Sequence, residues 1–220
     1  MKLSQETVAI LKNFSTIHQN LQFMAGNVIK TKSTASDVFG SAIVAEEFPV
    51  NFAIYELGRF LSVISLFNDP DLEFGEKSVK IGDGKNAVNY VYADSSLIAS
   101  PDYKKEITLP PVIASFELKQ DQIAKLQKAA SVLGVPTVSI TAKNGMMNVV
   151  AHDKKNASSD KFTLDVGVTD ASDFTVDLKL ETLRFIQGDY DVDVTERVVC
   201  RFKNKAIDLT YLVAGDVSKA

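Results

Sequence analysis

The chain has 220 residues, 45% hydrophobic and 24% charged, the balance of a soluble globular protein long enough for two domains. A net charge of -4 argues against a uniformly basic nucleic-acid protein but leaves room for a local basic surface, and a single cysteine, Cys200, excludes an internal disulfide. The start, MKLSQETVAILKNF, is amphipathic rather than a signal peptide, and no apolar run reaches spanning length, so an intracellular, soluble protein is expected.

Residues 1–4 read as a short strand, with Ser4 capping a helix whose apolar stripe is Val8, Leu11 and Phe14 and whose opposite face carries Lys12. Alternating segments at 17–23 and 28–32 follow, joined by a tight turn at Gly26-Asn27, and then strands at 38–45 and 48–54. The stretch VNFAIYELGRFLSVISLF passes from strand into helix. Leu57, Phe60, Leu61, Ile64 and Phe67 form its buried face, and Gly58, Arg59, Ser62 and Ser65 the polar one. Asn68-Asp69-Pro70 ends that helix, and short strands are expected at 71–74, 78–81 and 88–92, with a turn at Gly82-Asp83-Gly84.

The second half restarts the same programme. A strand at 112–118 leads to a helix capped by Asp121, with Ile123, Leu126, Ala130 and Leu133 inward and Lys125 and Lys128 outward. A hairpin at 136–151 turns at Asn144-Gly145, and strands follow at 162–166 and 174–178. FTVDLKLETLRFIQG repeats the strand-then-helix unit, with Lys179 and Arg184 on its exposed face. Strands at 190–194, 198–202 and 207–213 close the chain; Cys200 alternates with Val198 and Phe202 and reads as core. Each half is thus two helices packed on an antiparallel sheet, an α+β domain occurring twice: 1–92 and 112–220, with a proline-rich connector at 93–111.

Motifs of chemistry are weak. Gly82-Asp83-Gly84-Lys85 and Gly75-Glu76-Lys77-Ser78 lack the spacing and strand-to-helix setting of a phosphate loop. Asp189, Asp191 and Asp193 begin like a calcium loop, but Val194 and Cys200 occupy places that need glycine and glutamate. His18 and His152 belong to no Cys/His cluster, and there is no nucleophile elbow. Neither a metal, a cofactor nor a catalytic constellation is expected. What recurs is cations on helices: Lys12, Arg59, Lys125, Lys128, Lys179 and Arg184, with Lys119 just before the third helix. On one surface they would suit sequence-independent contact with a phosphate backbone. A duplicated β-rich structural or interaction protein without DNA binding would show the same absence of a site, and salt-dependent DNA association separates the two.

Three blocks carry a family resemblance: MKLSQETVAILKNFSTI, FAIYELGRFLSVISLFND and ADSSLIASPDYKKEITLPPVIASFELKQDQIAKL, with GDYDVDV as a later echo. In order and spacing they resemble the sliding clamps of T-even-type bacteriophages, more loosely in the second half. The resemblance implies a homotrimer closing as a six-domain ring around double-stranded DNA in the cytoplasm of an infected bacterium, with helices lining the hole. Such a ring tethers the replicative DNA polymerase, is opened by an ATP-driven clamp loader and serves late transcription. It further implies subunit contacts through two alternating strands, carrying Val88, Tyr90 and Val91 in one and Phe162, Leu164 and Val166 in the other. A partner-peptide pocket is expected under the connector from Leu97, Ile98, Ile107 and Leu109 with Leu209, Tyr211 and Leu212; the plainer alternative is that these residues pin the connector down.

Overall fold

The computed structural model describes residues 1–104, 107–156 and 158–217. The chain divides into two compact units, Met1–Glu106 and Ile107–Ala220. This division falls inside the stretch expected as a connector, whose residues 105 and 106 lie outside the described ones.

Unit 1 runs α1 (Gln5–Ile17), β1 (Leu21–Phe23), β2 (Gly26–Lys32), β3 (Val38–Phe48), β4 (Phe52–Ile54), α2 (Leu57–Ile64), β5 (Asp71–Phe74), β6 (Ser78–Gly82) and β7 (Ala87–Val91). Ser4 caps α1, its hydroxyl accepting the Thr7 N–H at 3.1 Å. The Glu46 carboxylate of β3 accepts from the Ser4 N–H and the Thr7 hydroxyl, placing a negative charge where the helix dipole favours it. Burial alone would raise the Glu46 carboxyl, but these hydrogen bonds outweigh it and hold the group below the ordinary carboxylate range. Residues 1–4 form no regular strand, although Met1 exchanges backbone hydrogen bonds of 2.9 and 2.7 Å with Leu72.

The buried stripe of α1 is Thr7, Ile10, Leu11 and Phe14, with Val8 at its half-exposed margin. Phe14 lies directly on β3, because a Cβ on Gly40 would stand 3.0 Å from its ring. α2 buries Leu57, Phe60, Leu61 and Ile64, as their spacing predicts. β1 pairs with β4, β2 with β3, and β5, β6 and β7 form a meander, all antiparallel. The turn expected at Gly26-Asn27 comes earlier, since Gly26 already opens β2 at φ 113 and faces Phe48. Phe23, Phe52 and Tyr92 stack in sequence, with centroids 4.3 and 5.0 Å apart, at the aromatic heart of the unit.

Unit 2 runs β8 (Val112–Leu118), α3 (Gln120–Leu133), β9 (Thr137–Lys143), β10 (Met146–His152), β11 (Phe162–Val168), β12 (Phe174–Lys179), β13 (Tyr190–Thr195), β14 (Val199–Asn204), β15 (Leu209–Ala214) and β16 (Asp216–Val217). One antiparallel set pairs β8, β13, β14 and β15 in that order; another runs β11, β10, β9, β12 and β16. Asp121 is not the cap of α3 but lies in its first turn. The N-terminus is satisfied instead by Asp189, whose carboxylate accepts the Gln120 N–H at 2.8 Å, and by Gln122, which accepts the Lys119 N–H at 2.9 Å. The β9–β10 hairpin turns as expected through Asn144 at φ 52 and Gly145 at φ 77.

Two further expectations fail in unit 2. The second helix of this half is absent: residues 180–182 make a single 3-10 turn, so the described chain has three α-helices and the expected two per half holds for unit 1 alone. The reason is competition for the backbone. Tyr190 donates its hydroxyl to the Ile186 carbonyl at 2.6 Å and Tyr211 accepts the Ile186 N–H at 3.3 Å, while the Phe185 ring stacks on Tyr211 at 4.6 Å. Leu183 is still buried, so the apolar anchor of the repeat persists without the helix. Val198 is not part of the strand containing Cys200; at φ 54 it closes the turn before β14, its carbonyl held by the Gly215 N–H at 2.8 Å. Cys200 is fully buried, which pushes its thiol up to about 12 and leaves it unreactive.

Candidate nucleic-acid interface

In unit 1 one exposed cation stands on each helix, Lys12 on α1 and Arg59 on α2. Lys12 is exposed on α1 and has no ion-pair partner among the described residues. The Arg59 side chain is 75% exposed on α2, with Glu56 one turn away at 3.9 Å, a separation that contributes little in water. Around them the hydroxyls turn back to the helix: Ser62 donates to the Gly58 carbonyl at 2.8 Å, Ser65 to Ser62 at 2.7 Å and Thr16 to Asn13 at 2.7 Å.

In unit 2, Lys125 and Lys128 are exposed neighbours on α3, Lys125 lying 3.7 Å from Asp121 in an equally exposed pair. Lys119 is exposed at the N-cap position. Lys179 and Arg184 are exposed too, but they flank the 3-10 turn instead of sharing a helix face. The three helices carry four cations, Lys12, Arg59, Lys125 and Lys128, against two acids, Glu6 and Asp121. The helices are thus locally basic within a chain of net charge -4.

The two strands expected at subunit contacts are both sheet edges. β7 pairs only with β6 and β11 only with β10 among the described strands. Tyr90 packs its ring edge-on against Phe60 of α2 at 5.3 Å, whereas Val91 is 67% exposed. Flanking β7, the Tyr92 N–H and Asn86 carbonyl bond to the residues flanking β6, Lys77 and Asp83, so by alternation the N–H groups of Asn89 and Val91 point to the open side. Val88, Phe162, Leu164 and Val166 are half-buried.

The expected pocket residues are not alike. Leu97 and Ile107 are exposed and Leu109 and Leu212 half-buried, but Ile98, Leu209 and Tyr211 belong to the buried interior. Tyr211 lies between Phe185 and Tyr190, so it supports a wall and offers no face. Sequence reasoning missed a groove of unit 2 whose apolar lining includes Ile113, Phe174 and the left-handed Val198; these residues are distant in the chain, and no local pattern joins them.

A serine, a histidine and an aspartate do meet in unit 2. Ser139 Oγ lies 2.6 Å from His152 Nε2 and 2.5 Å from Asp177 Oδ1. The serine, not the histidine, is the middle member, and it is buried within the sheet, so the order needed to activate a nucleophile is lacking. Among the described residues no group of His, Cys, Asp or Glu is placed to hold a metal ion, and no helix is long and apolar enough to cross a membrane.

Comparison with known proteins places these features. Residues 3–100 match the DNA polymerase processivity factor family, and residues 115–217 match the C-terminal part of the gp45 sliding clamp. The sliding clamp of Vibrio phage KVP40 is 30% identical over 223 residues, 98% of this chain and 99% of that protein. The sliding clamp of Enterobacteria phage T4 is 29% identical over 86% of this chain and 85% of that one. In fold, the chain resembles A. fulgidus PCNA, solved with the C-terminal region of FEN-1, with a TM-score of 0.73 over 100% of both chains at 9% identity. The chain belongs to the phage sliding-clamp family, the DNA polymerase processivity factors, which are not enzymes.

Proposed function

We propose that three copies of this chain close into a ring around double-stranded DNA, without regard to sequence, and hold the replicative polymerase on its template. The observation that carries this reading is the surplus of exposed cations on α1, α2 and α3 in a chain of net charge -4. Lys12, Arg59, Lys119, Lys125, Lys128, Lys179 and Arg184 are its proposed DNA-facing residues. Closure uses β7 of one copy beside β11 of the next, a head-to-tail contact through Val88, Tyr90 and Val91 on one side and Phe162, Leu164 and Val166 on the other. Domains of 1–92 and 112–220, joined by the connector 93–111, would place six domains in the ring.

The connector supplies the accessible apolar residues, Leu97 and Ile107 with Leu109, for a short peptide anchor of the polymerase. Ile98, Leu209, Tyr211 and Leu212 are the other residues proposed for that anchor, Leu212 half-buried and the remaining three buried. The FEN-1 segment bound to A. fulgidus PCNA gives the precedent of a terminal peptide on this fold. Loading by an ATP-driven clamp loader, a part in late transcription and action in the cytoplasm of an infected bacterium complete the proposal.

Replacing Lys125, Lys128 and Arg184 by alanine tests it. Retention on DNA should weaken while circular dichroism stays native, and the slope of log affinity against log salt should shrink by about one unit at most per lost phosphate contact. An unchanged salt slope sinks the basic-face reading.

A further inference from the structure

Residues 93–104 are fastened to unit 1 along their length. The Ala93 N–H donates to the Ala53 carbonyl of β4 at 2.8 Å. Asp94 caps the 3-10 turn Ser95–Leu97 by accepting the Ser96 N–H at 2.9 Å, and Ile98 is buried to 8% exposure. The far end is held by Tyr103. Its hydroxyl accepts the Lys30 N–H at 3.0 Å and donates to the Gln22 carbonyl at 2.7 Å, so one side chain joins β1 to β2, which belong to different sheets. Lys30 returns the contact, its ammonium 5.3 Å from the Tyr103 ring centroid and donating to the Tyr103 carbonyl at 3.3 Å. Burial raises the phenol to about 12, so it remains a donor at ordinary pH. Between the two anchors Leu97 stands 68% exposed, a large apolar side chain on a segment with no slack at either end.

We propose that Tyr103 is a positioning residue: it latches the connector onto unit 1 so that Leu97 meets a partner's peptide in one fixed place. This rests on the connector being the partner platform. The physical basis is preorganisation. A segment ordered during folding binds without further loss of backbone freedom, whereas one released from its latch must be ordered by the ligand. A strap serving only to join the two units would need neither the paired hydrogen bonds to β1 and β2 nor an exposed leucine between the anchors.

The experiment uses the full-length chain. Tyr103→Phe keeps the ring beneath Lys30 and deletes every hydroxyl bond, the longer 3.4 Å contact to the Lys30 carbonyl included; Leu97→Ser removes the displayed anchor and leaves the latch. The readouts are amide hydrogen exchange over residues 93–104 and binding of a synthetic peptide copying the C-terminal segment of the cognate polymerase. Y103F should exchange about tenfold faster in that segment and bind the peptide severalfold more weakly, with unaltered sedimentation. Should Y103F unfold the chain, Lys30→Met, which removes only the ammonium contacts, should give smaller changes of the same sign. Unchanged exchange overturns the latch, and faster exchange with unchanged peptide affinity overturns its positioning role. Wild-type affinity in L97S overturns the platform reading, and normal exchange in that variant separates this failure from a failure of the latch.

Discussion

Glu46 and Ser4 show what a local pattern reveals at the scale of a residue. Ser4 was legible as a cap because its bonded partner, Thr7, is three positions along the chain. The Glu46 carboxylate completes the same cap from 42 and 39 residues away, and no spacing rule reaches that far. Its effect has a definite sign with pH. Because the folded-state value lies below the ordinary 4.5, the carboxylate stabilises fully above that value and loses its contribution as pH falls through the folded one. Glu46→Gln should therefore melt at a lower temperature than the parent at pH 7, and the gap should narrow below pH 4.5. A constant gap across that range, measured by thermal denaturation, would remove the charge from the account. The pocket assignments were the least legible. Leu209 and Tyr211 alternate in β15 like any strand residues, and which side faces outward depends on neighbours elsewhere in the chain.

Elements with strong periodicity were read correctly from the sequence, as were the short strands β5, β6 and β7, whereas the brief helix expected after β12 was not. α2 has its four buried positions at helical spacing and needs no outside help to be recognised. The segment after β12 copies that spacing only briefly, and two tyrosines divert its backbone. Propensity without length or a side-chain cap does not hold a helix when tertiary partners compete. Tyr190→Phe tests this competition. It strips the donor from the half-buried Ile186 carbonyl and should cost about 1–3 kcal/mol in urea unfolding, with faster amide exchange at residues 183–188. A neutral substitution would mean that ring packing among Phe185, Phe202 and Tyr211 fixes the loop by itself.

For the whole molecule, two units were legible because a helix followed by antiparallel strands occurs in each half, whereas the proposed ring closure depends on strands that stop at an open edge, and edges have no sequence mark of their own. β7 and β11 differ in sequence and occupy different units, so the contact proposed between them would be heterologous: every copy offers one edge of each kind. Val91→Pro removes an N–H on the open side of β7 and leaves the bonds to β6, and Leu164→Pro spoils β11. Either variant alone should sediment as a monomer. An equimolar mixture behaves differently, because the intact β11 of the first variant still fits the intact β7 of the second. The mixture should form a one-to-one dimer and stop there, since both remaining edges carry a proline. A self-complementary interface at one edge would leave the variant altered at the other edge still dimeric on its own, and trimers in either single variant would place the subunit contact elsewhere. Analytical ultracentrifugation of the three samples distinguishes these outcomes.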